Sequence, residues 1–199
     1  MLAAVACGSG EHAAMGRALP GLPRRAVIDR VRVFRLALPA KGSIGRCLRL
    51  TMLREGRVLL VERSGVVTRS LTIARIGSQQ VFGCDKTGAS FEGHEWCGAS
   101  AGILRNGRLP DPRLDILCVD RRGRHVAAAW VNPLPRARWV GVDQGSYTEL
   151  YPTAVGLPVR IASTRGVEYN GARATFFVTQ YGARAHVLSR GRLVAQVAG

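Results

Sequence analysis

The sequence predicts an all-β protein, an antiparallel β-sandwich of immunoglobulin-like or related type. Two observations favour this class over a helical or mixed one. Short segments in which apolar and polar residues alternate recur along the chain from residue 31 onward. Turn signals containing Gly, Asn, Asp or Pro separate these segments at short intervals, as in sandwiches and barrels, and no long stretch has helical periodicity.

The first half of the chain contains two hairpin signals. Glu55-Gly56 and Ser64-Gly65 each separate two segments of strand-like alternation, and two-residue breaks of this kind are typical of β-hairpins. The predicted strands of this half are Val31–Leu38, Cys47–Leu53, Arg57–Arg63, Val66–Ile76 and Gln79–Cys84. The polar stretch at 86–96 then changes the composition, and it could mark a boundary between two small packed β subdomains.

The second half repeats the pattern of short apolar segments and turns. The predicted strands are Leu114–Asp120, His125–Val131, Arg138–Asp143, Tyr147–Tyr151, Leu157–Thr164, Arg173–Tyr181, Ala185–Ser189 and Leu193–Val197. A β domain over residues 29–199 accounts for all of these segments. With 47% hydrophobic residues, such a domain can form a core without depending on cross-links.

The chain is strongly basic, with 29 Lys and Arg against 13 Asp and Glu and a formal net charge of +16. A positive field of this size attracts polyanions. Nucleic acid, anionic lipid headgroups and anionic wall polymers are therefore the candidate partners. The sequence contains no apolar run near the ~18 residues that a membrane-spanning helix requires.

The first residues indicate a location. Small residues precede a cysteine in Ala4-Val5-Ala6-Cys7, and Gly8-Ser9-Gly10 follows. This segment resembles the processing site of bacterial lipoproteins, in which the new N-terminal cysteine carries the lipid. The resemblance implies that Cys7 is the lipid anchor, that residues 1–28 form the signal remnant and a flexible tether, and that the protein is attached to a membrane at the cell envelope.

Four cysteines remain after Cys7, and an even number favours two disulfides in an exported protein. Cys84–Cys97 would close the polar loop between them, and Cys47–Cys118 would then join two strands. Cys97–Cys118 is the alternative pairing. A disulfide that closes a loop of about 12 to 20 residues stabilises the fold by about 3 kcal/mol in the chain-entropy model. Four free buried thiols in a cytosolic protein are the remaining alternative.

Two patterns suggest catalysis or metal binding, but neither has the context that its chemistry needs. Gly98-Ala-Ser-Ala-Gly102 matches the G-x-S-x-G nucleophile elbow, yet the residues after it should break the helix that the elbow requires. Cys84, His94, Cys97 and Cys118 include zinc-type ligands, but their spacing is not that of a compact zinc knuckle. Glu149 has no second carboxylate at a spacing that would indicate a glycosidase pair. We therefore expect neither a metal nor a cofactor.

Aromatic and basic residues alternate best around a proline-rich connection. Trp130 and Trp139 flank it, and Arg136 and Arg138 lie within it, so these four residues are the candidate binding residues. The sequence predicts an exported, lipid-anchored, non-enzymatic domain with a binding or structural role. The alternatives are a cytoplasmic nucleic-acid-binding protein, which lacks a recognisable RNA-binding motif here, and an enzyme that uses Ser100 or a Cys/His zinc centre.

Overall fold

A computed structural model describes residues 21–87, 96–110, 114–120 and 122–196 of the protein. In chain order the elements are β1 (Ala26–Ile28), β2 (Arg30–Ala37), α1 (Gly42–Leu50), β3 (Arg57–Ser64), β4 (Thr68–Arg75), β5 (Gln80–Thr87), β6 (Gly98–Ile103), β7 (Leu114–Val119), β8 (His125–Val131), β9 (Trp139–Asp143), β10 (Thr148–Pro152), β11 (Val159–Ser163), β12 (Val167–Glu168), β13 (Arg173–Tyr181) and β14 (Val187–Gln196). No helix in these ranges is long and apolar enough to cross a membrane.

The strands of these described ranges form three sheets. Sheet I has the order β2-β3-β4-β5-β6, and each strand pairs with the next one along the chain. Sheet II has the order β11-β8-β7, and sheet III has the order β1-β10-β9-β13-β12, with β14 also paired to β13. All pairs are antiparallel except β1 with β10, which is parallel. The packed antiparallel sheets confirm the predicted all-β, sandwich-like class.

Sheet II lies between the other two sheets. Ala127 and Ala129 of β8 pack into the apolar core with strands of sheet III, whereas Ala128 and Trp130 point to the other face. On that face Trp130 contacts Val81 of sheet I. A strand that is buried on both faces needs small or apolar side chains at every position, and the Ala-rich sequence of β8 meets this requirement.

A second apolar core covers the other face of sheet I, and α1 closes it. The buried residues of α1 include Cys47 and Leu48, with Ile44 packed against the same cluster. This spacing is that of one face of a helix. The predicted strand Cys47–Leu53 is therefore wrong. The alternation in that segment is too short to exclude the helical period, and the helical period governs the packing.

Two disulfides cross-link this part of the fold. Cys47 of α1 pairs with Cys84 of β5, with a Cα–Cα distance of 6.0 Å, and Cys97 pairs with Cys118 of β7 at 5.8 Å. The pairing Cys84–Cys97 with Cys47–Cys118 is therefore wrong, because α1 packs over β5 and brings Cys47 to Cys84. Two disulfides indicate an oxidising, extracytoplasmic compartment.

Two boundaries in the structure differ from those that the sequence predicts. β1 lies within residues 1–28, which the sequence assigned to the tether, and it pairs with β10 in sheet III. β5 and β6, on either side of residues 88–95, pair with each other in sheet I. The chain therefore passes from sheet I to sheet II between β6 and β7 rather than at 86–96.

Candidate functional site

A groove with three arginines lies where three connections meet. It is formed by the turn at 106–108, the proline-rich connection at 132–138 and the turn at 153–156, and its volume is about 480 Å³. The side chains of Arg108, Arg136 and Arg138 line it, and all three residues are exposed. We call this feature the arginine groove.

The arginine groove carries positive charge without a local counter-charge. None of the described residues that line it is acidic. Within the described part of the chain, no carboxylate forms an ion pair with Arg108, Arg136 or Arg138. Three guanidinium groups on one concave surface can donate charge-assisted hydrogen bonds to phosphate or carboxylate groups, frequently in the bidentate geometry that arginine favours.

Side-chain hydrogen bonds hold the walls of the arginine groove in place. Asn132 accepts a hydrogen bond from the Leu109 N–H at 2.9 Å and donates one to the Leu109 carbonyl at 2.7 Å. Gln180 accepts from the Leu134 N–H at 2.6 Å, and the Thr153 hydroxyl donates to the Ala137 carbonyl at 2.7 Å. These contacts join the connections to one another and to β13, so the groove is preorganised.

The backbone at Arg136 supports the same conclusion. Its φ is 68°, in the left-handed region that residues other than glycine seldom adopt. Such a conformation costs on the order of 1 kcal/mol and persists where the surroundings impose it. Pro133 and Pro135 precede Arg136 and restrict the backbone further. The fold therefore fixes the backbone of Arg136 in the groove, although this residue lies in a connection between strands.

Of the four predicted binding residues, the structure brings two into the arginine groove. Arg136 and Arg138 line it, but Trp130 is 4% exposed and covers the guanidinium of Arg160 at 4.7 Å. Trp139 is half-buried in β9, opposite Pro152 and Tyr181. The two tryptophans therefore do not form one stacking platform with the two arginines.

Arg108 is the member of the groove that the sequence analysis missed. It follows Asn106-Gly107, a dipeptide typical of tight two-residue turns, and the structure has a β-bridge between Arg105 and Arg108 across that turn. The turn signal is visible in the sequence. The position of Arg108 beside the proline-rich connection depends on the hydrogen bonds between Asn132 and Leu109, and the sequence does not indicate these.

The second feature that the sequence analysis missed is a buried acid pair. Asp29 supplies the second carboxyl that Glu149 lacks in the sequence pattern, and the two side chains lie side by side beneath Gly65. Asp29 is 5% and Glu149 0% exposed. The two residues are far apart in the sequence, and they meet because the chain crosses from sheet III to sheet I at Asp29, beside β10.

The surroundings of the acid pair determine which carboxyl holds the proton. Glu149 Oε1 accepts the backbone N–H groups of Val66 at 2.7 Å and Val67 at 3.3 Å, and Gln144 donates to Oε2 at 3.2 Å. No N–H or hydroxyl group of the described residues donates to either oxygen of Asp29. Burial, then the negative charge of Glu149, raise the pKa of Asp29 to about 9, although the charge of the buried Arg63 guanidinium opposes this shift. Asp29 is therefore the protonated partner at neutral pH.

The acid pair joins two sheets at one end of the molecule. Gly65 in the β3–β4 turn lies so close that a Cβ added there would meet the Asp29 oxygens at 2.7 and 2.8 Å. The absence of a side chain at Gly65 lets the turn cover the pair. A glycosidase pair needs carboxyls that are open to substrate, so this buried pair does not fit that chemistry.

A buried arginine forms the main polar contact between sheets I and II. Arg160 of β11 is 1% exposed, and its Nε donates to Asp85 of β5 at 2.6 Å. It also pairs with Asp115 of β7. Burial opposes the charged guanidinium, but the charges of Asp85 and Asp115 outweigh this effect and raise the pKa of Arg160. Arg160 therefore serves as a shared counter-charge for the two carboxylates inside the fold.

The other residues that the sequence analysis considered have the following positions. Ser100 lies within β6, paired with Gly83, and not at a turn between a strand and a helix. Cys84, Cys97 and Cys118 are half-cystines, so they cannot supply thiolates to zinc. His94 and the proposed anchor Cys7 lie outside the described residues.

Comparison of the chain with protein families, with curated proteins and with solved structures finds no match in any of the three.

Proposed function

We propose that this protein is an extracytoplasmic domain, held at a membrane through a lipid on Cys7, that binds an anionic polymer of the cell envelope in the arginine groove. The resemblance of Ala4-Val5-Ala6-Cys7 to a lipoprotein processing site supports the anchor. The two disulfides agree with an exported protein. The arginine groove supplies the binding function.

The observation that carries the proposal is the set of unpaired cations in a rigid, concave surface. Arg108, Arg136 and Arg138 have no carboxylate partner among the described residues, although ion pairs are present elsewhere, as at Arg165–Asp143. Fixed like charges repel one another, and a bound polyanion relieves that repulsion. Because the groove is preorganised, little ordering entropy is lost on binding.

The shape of the groove favours a chain-like ligand over a lipid bilayer. A bilayer surface is broad and would contact only the rim of a concave site. A single extended polymer can lie along the groove floor and present successive charges to the three arginines. The net charge of +16 adds a long-range attraction that increases the rate of encounter.

The test is a titration with inorganic polyphosphate, which supplies charge and no other recognition element. A variant with Arg108, Arg136 and Arg138 replaced by Ala removes the groove charges. A control variant with Arg49, Arg54 and Arg57 replaced by Ala loses the same charge at the exposed end of α1 and the start of β3. The two variants separate groove binding from the effect of net charge.

We expect the groove variant to bind polyphosphate about a hundredfold more weakly, since each arginine near a polyanion contributes about 1 kcal/mol. The plot of log affinity against log salt should become shallower by about 2, because the variant lacks three phosphate contacts and each contributes about 0.7 to the slope for a single-stranded polyanion. The control variant should keep most of the wild-type affinity. Equal losses in both variants would show that net charge alone binds the polymer, and the proposed site would be wrong.

The anchor is tested separately by intact mass on protein recovered from bacterial membranes. A diacylglycerol-sized increment that maps to Cys7 and is lost in Cys7→Ser supports the lipid anchor. Unmodified Cys7 in protein from the soluble fraction contradicts it, and this result would leave the polymer-binding proposal in place.

A further inference from the structure

A second groove lies on the outer face of sheet III. It has a volume of about 500 Å³, and β9, β10, β13 and β14 contribute to it. Phe177 supplies an exposed aromatic ring to the groove, the buried Tyr181 forms part of its floor, and Arg190 and Arg192 supply positive charge. We call this feature the sheet III groove.

An exposed aromatic ring is the central feature of the sheet III groove. Phe177 is 42% exposed, although most large apolar side chains of sheet III point inward to the core. Arg165 lies over its ring at 5.6 Å, and Asp143 holds the Arg165 guanidinium at 2.7 Å. The Arg165 guanidinium therefore lies over one face of the Phe177 ring, and the ion pair presents both hydrogen-bond donors and acceptors next to it.

The floor of the groove is flat because Gly141 of β9 has no side chain. A Cβ at Gly141 would meet Tyr181 Cε2 at 2.8 Å, so the Tyr181 ring packs directly over the backbone of β9. The hydroxyl groups of Thr148 and Thr179 lie along the same groove. The result is an open surface with one exposed aromatic ring, hydroxyl groups and a carboxylate–guanidinium pair.

These groups suit the chemistry of a sugar ring. One face of a pyranose is formed by C–H groups and packs on an aromatic ring, while its hydroxyl groups both donate and accept hydrogen bonds. A linear polyphosphate or an acidic peptide has no flat apolar face of this kind. Arg190 and Arg192 would contact acidic substituents on such a sugar.

The sheet III groove is connected to the arginine groove through β9 and β13. Arg138 of the arginine groove donates its backbone N–H to the carbonyl of Tyr181, which lines the sheet III groove, at 2.7 Å. The two grooves therefore have neighbouring residues in their linings, Arg138 in one and Tyr181 in the other.

We infer that the polymer is an acidic polysaccharide, whose sugar rings bind in the sheet III groove while its anionic groups bind in the arginine groove. This inference rests on the proposed function. It adds the identity of the repeating unit, which the arginines alone do not determine.

The test compares polygalacturonate, an acidic polysaccharide, with poly-L-glutamate of the same number of charges at the same salt concentration. Both polymers carry carboxylates, but only the first has sugar rings. Phe177→Ala removes the exposed ring, and Ile76→Ala, which trims an exposed apolar side chain in the β4–β5 turn, is the control. Circular dichroism and thermal unfolding establish that each variant is folded.

We expect the wild type to bind polygalacturonate at least about fivefold more tightly than polyglutamate. Phe177→Ala should abolish this preference while polyglutamate affinity changes by less than about twofold, and Ile76→Ala should alter neither. If Phe177→Ala fails to fold, nuclear Overhauser contacts between the Phe177 ring and sugar C–H protons in the wild type replace it.

The outcomes separate this inference from the proposed function. Equal affinity of the wild type for both polymers, or equal effects of Phe177→Ala on both, overturns the polysaccharide inference and leaves the arginine groove as a general polyanion site. Absence of binding to either polymer contradicts the proposed function itself, and the inference falls with it.

Discussion

Replacing Asp29 with Asn should stabilise the protein at neutral pH, although it changes a buried polar group. In the folded state the pKa of Asp29 is about 9, because burial and Glu149 disfavour its charge, against an ordinary value of 3.8. At pH 7 the unfolded chain carries ionised Asp29, and folding must add a proton to it. Asparagine is neutral at every pH and of nearly the same shape, so the variant folds without this cost.

The cost follows from the difference between pH 7 and the ordinary pKa. The gap of about 3 pH units, at about 1.4 kcal/mol per unit, gives about 4 kcal/mol as an upper bound. Relaxation around the pair reduces this figure, so we expect Asp29→Asn to gain about 2–4 kcal/mol in free energy of unfolding at pH 7.

The dependence on pH has a defined sign. Between pH 4 and 9 the folded state binds more protons than the unfolded state at Asp29, so the contribution of this group to stability falls as pH rises. Asp29→Asn removes that slope. The advantage of the variant should therefore disappear near pH 4 and reach its maximum near pH 9.

The assay is urea unfolding with the disulfides intact, at several pH values between 4 and 9, on the wild type, Asp29→Asn and Glu55→Gln. Glu55 is an exposed carboxylate between α1 and β3, so Glu55→Gln controls for the loss of one acid. A variant Asp29→Asn that is less stable than the wild type at pH 8, or that keeps the wild-type pH slope, would refute a protonated Asp29.

Two further predictions concern the links between the sheets. Arg160→Ala leaves Asp85 buried without its partner and should destabilise the protein by about 3–5 kcal/mol. Arg165→Ala removes an exposed ion pair and should cost less than about 1 kcal/mol. Urea unfolding measures the stability of both variants. The Cys97–Cys118 disulfide contains an exposed cysteine and should be reduced before the buried disulfide between α1 and β5. Peptide mapping after mild reduction and alkylation measures the order. Earlier reduction of the buried disulfide would contradict this prediction.

The strands were predictable where the local pattern decides the structure. The predicted strands His125–Val131 and Arg173–Tyr181 coincide with β8 and β13, since both are apolar segments with turn residues at their ends. β6, at Gly98–Ile103, was missed because its small residues carry no alternation. The segment from Cys47 alternates like a strand, and only the packing of α1 against sheet I selects the helical period.

The candidate sites depend on contacts that no local pattern contains. Arg136 and Arg138 were found because they are neighbours in the sequence, but Arg108 reaches them through the tertiary bonds of Asn132. Asp29 and Glu149 meet only because the chain crosses between two sheets at Asp29. The disulfide pairing follows from the same kind of contact, since the position of α1 over β5 determines it.

The most direct test of the arginine groove is a titration followed by NMR of the arginine Nε–H groups. As polyphosphate is added, the signals of Arg108, Arg136 and Arg138 should shift together and saturate along one binding curve. The arginines of β2, which are exposed on another sheet, serve as internal references and should remain almost unchanged. Larger or earlier shifts at the β2 arginines, with the groove signals unmoved, would contradict the central claim that this groove binds anionic polymers.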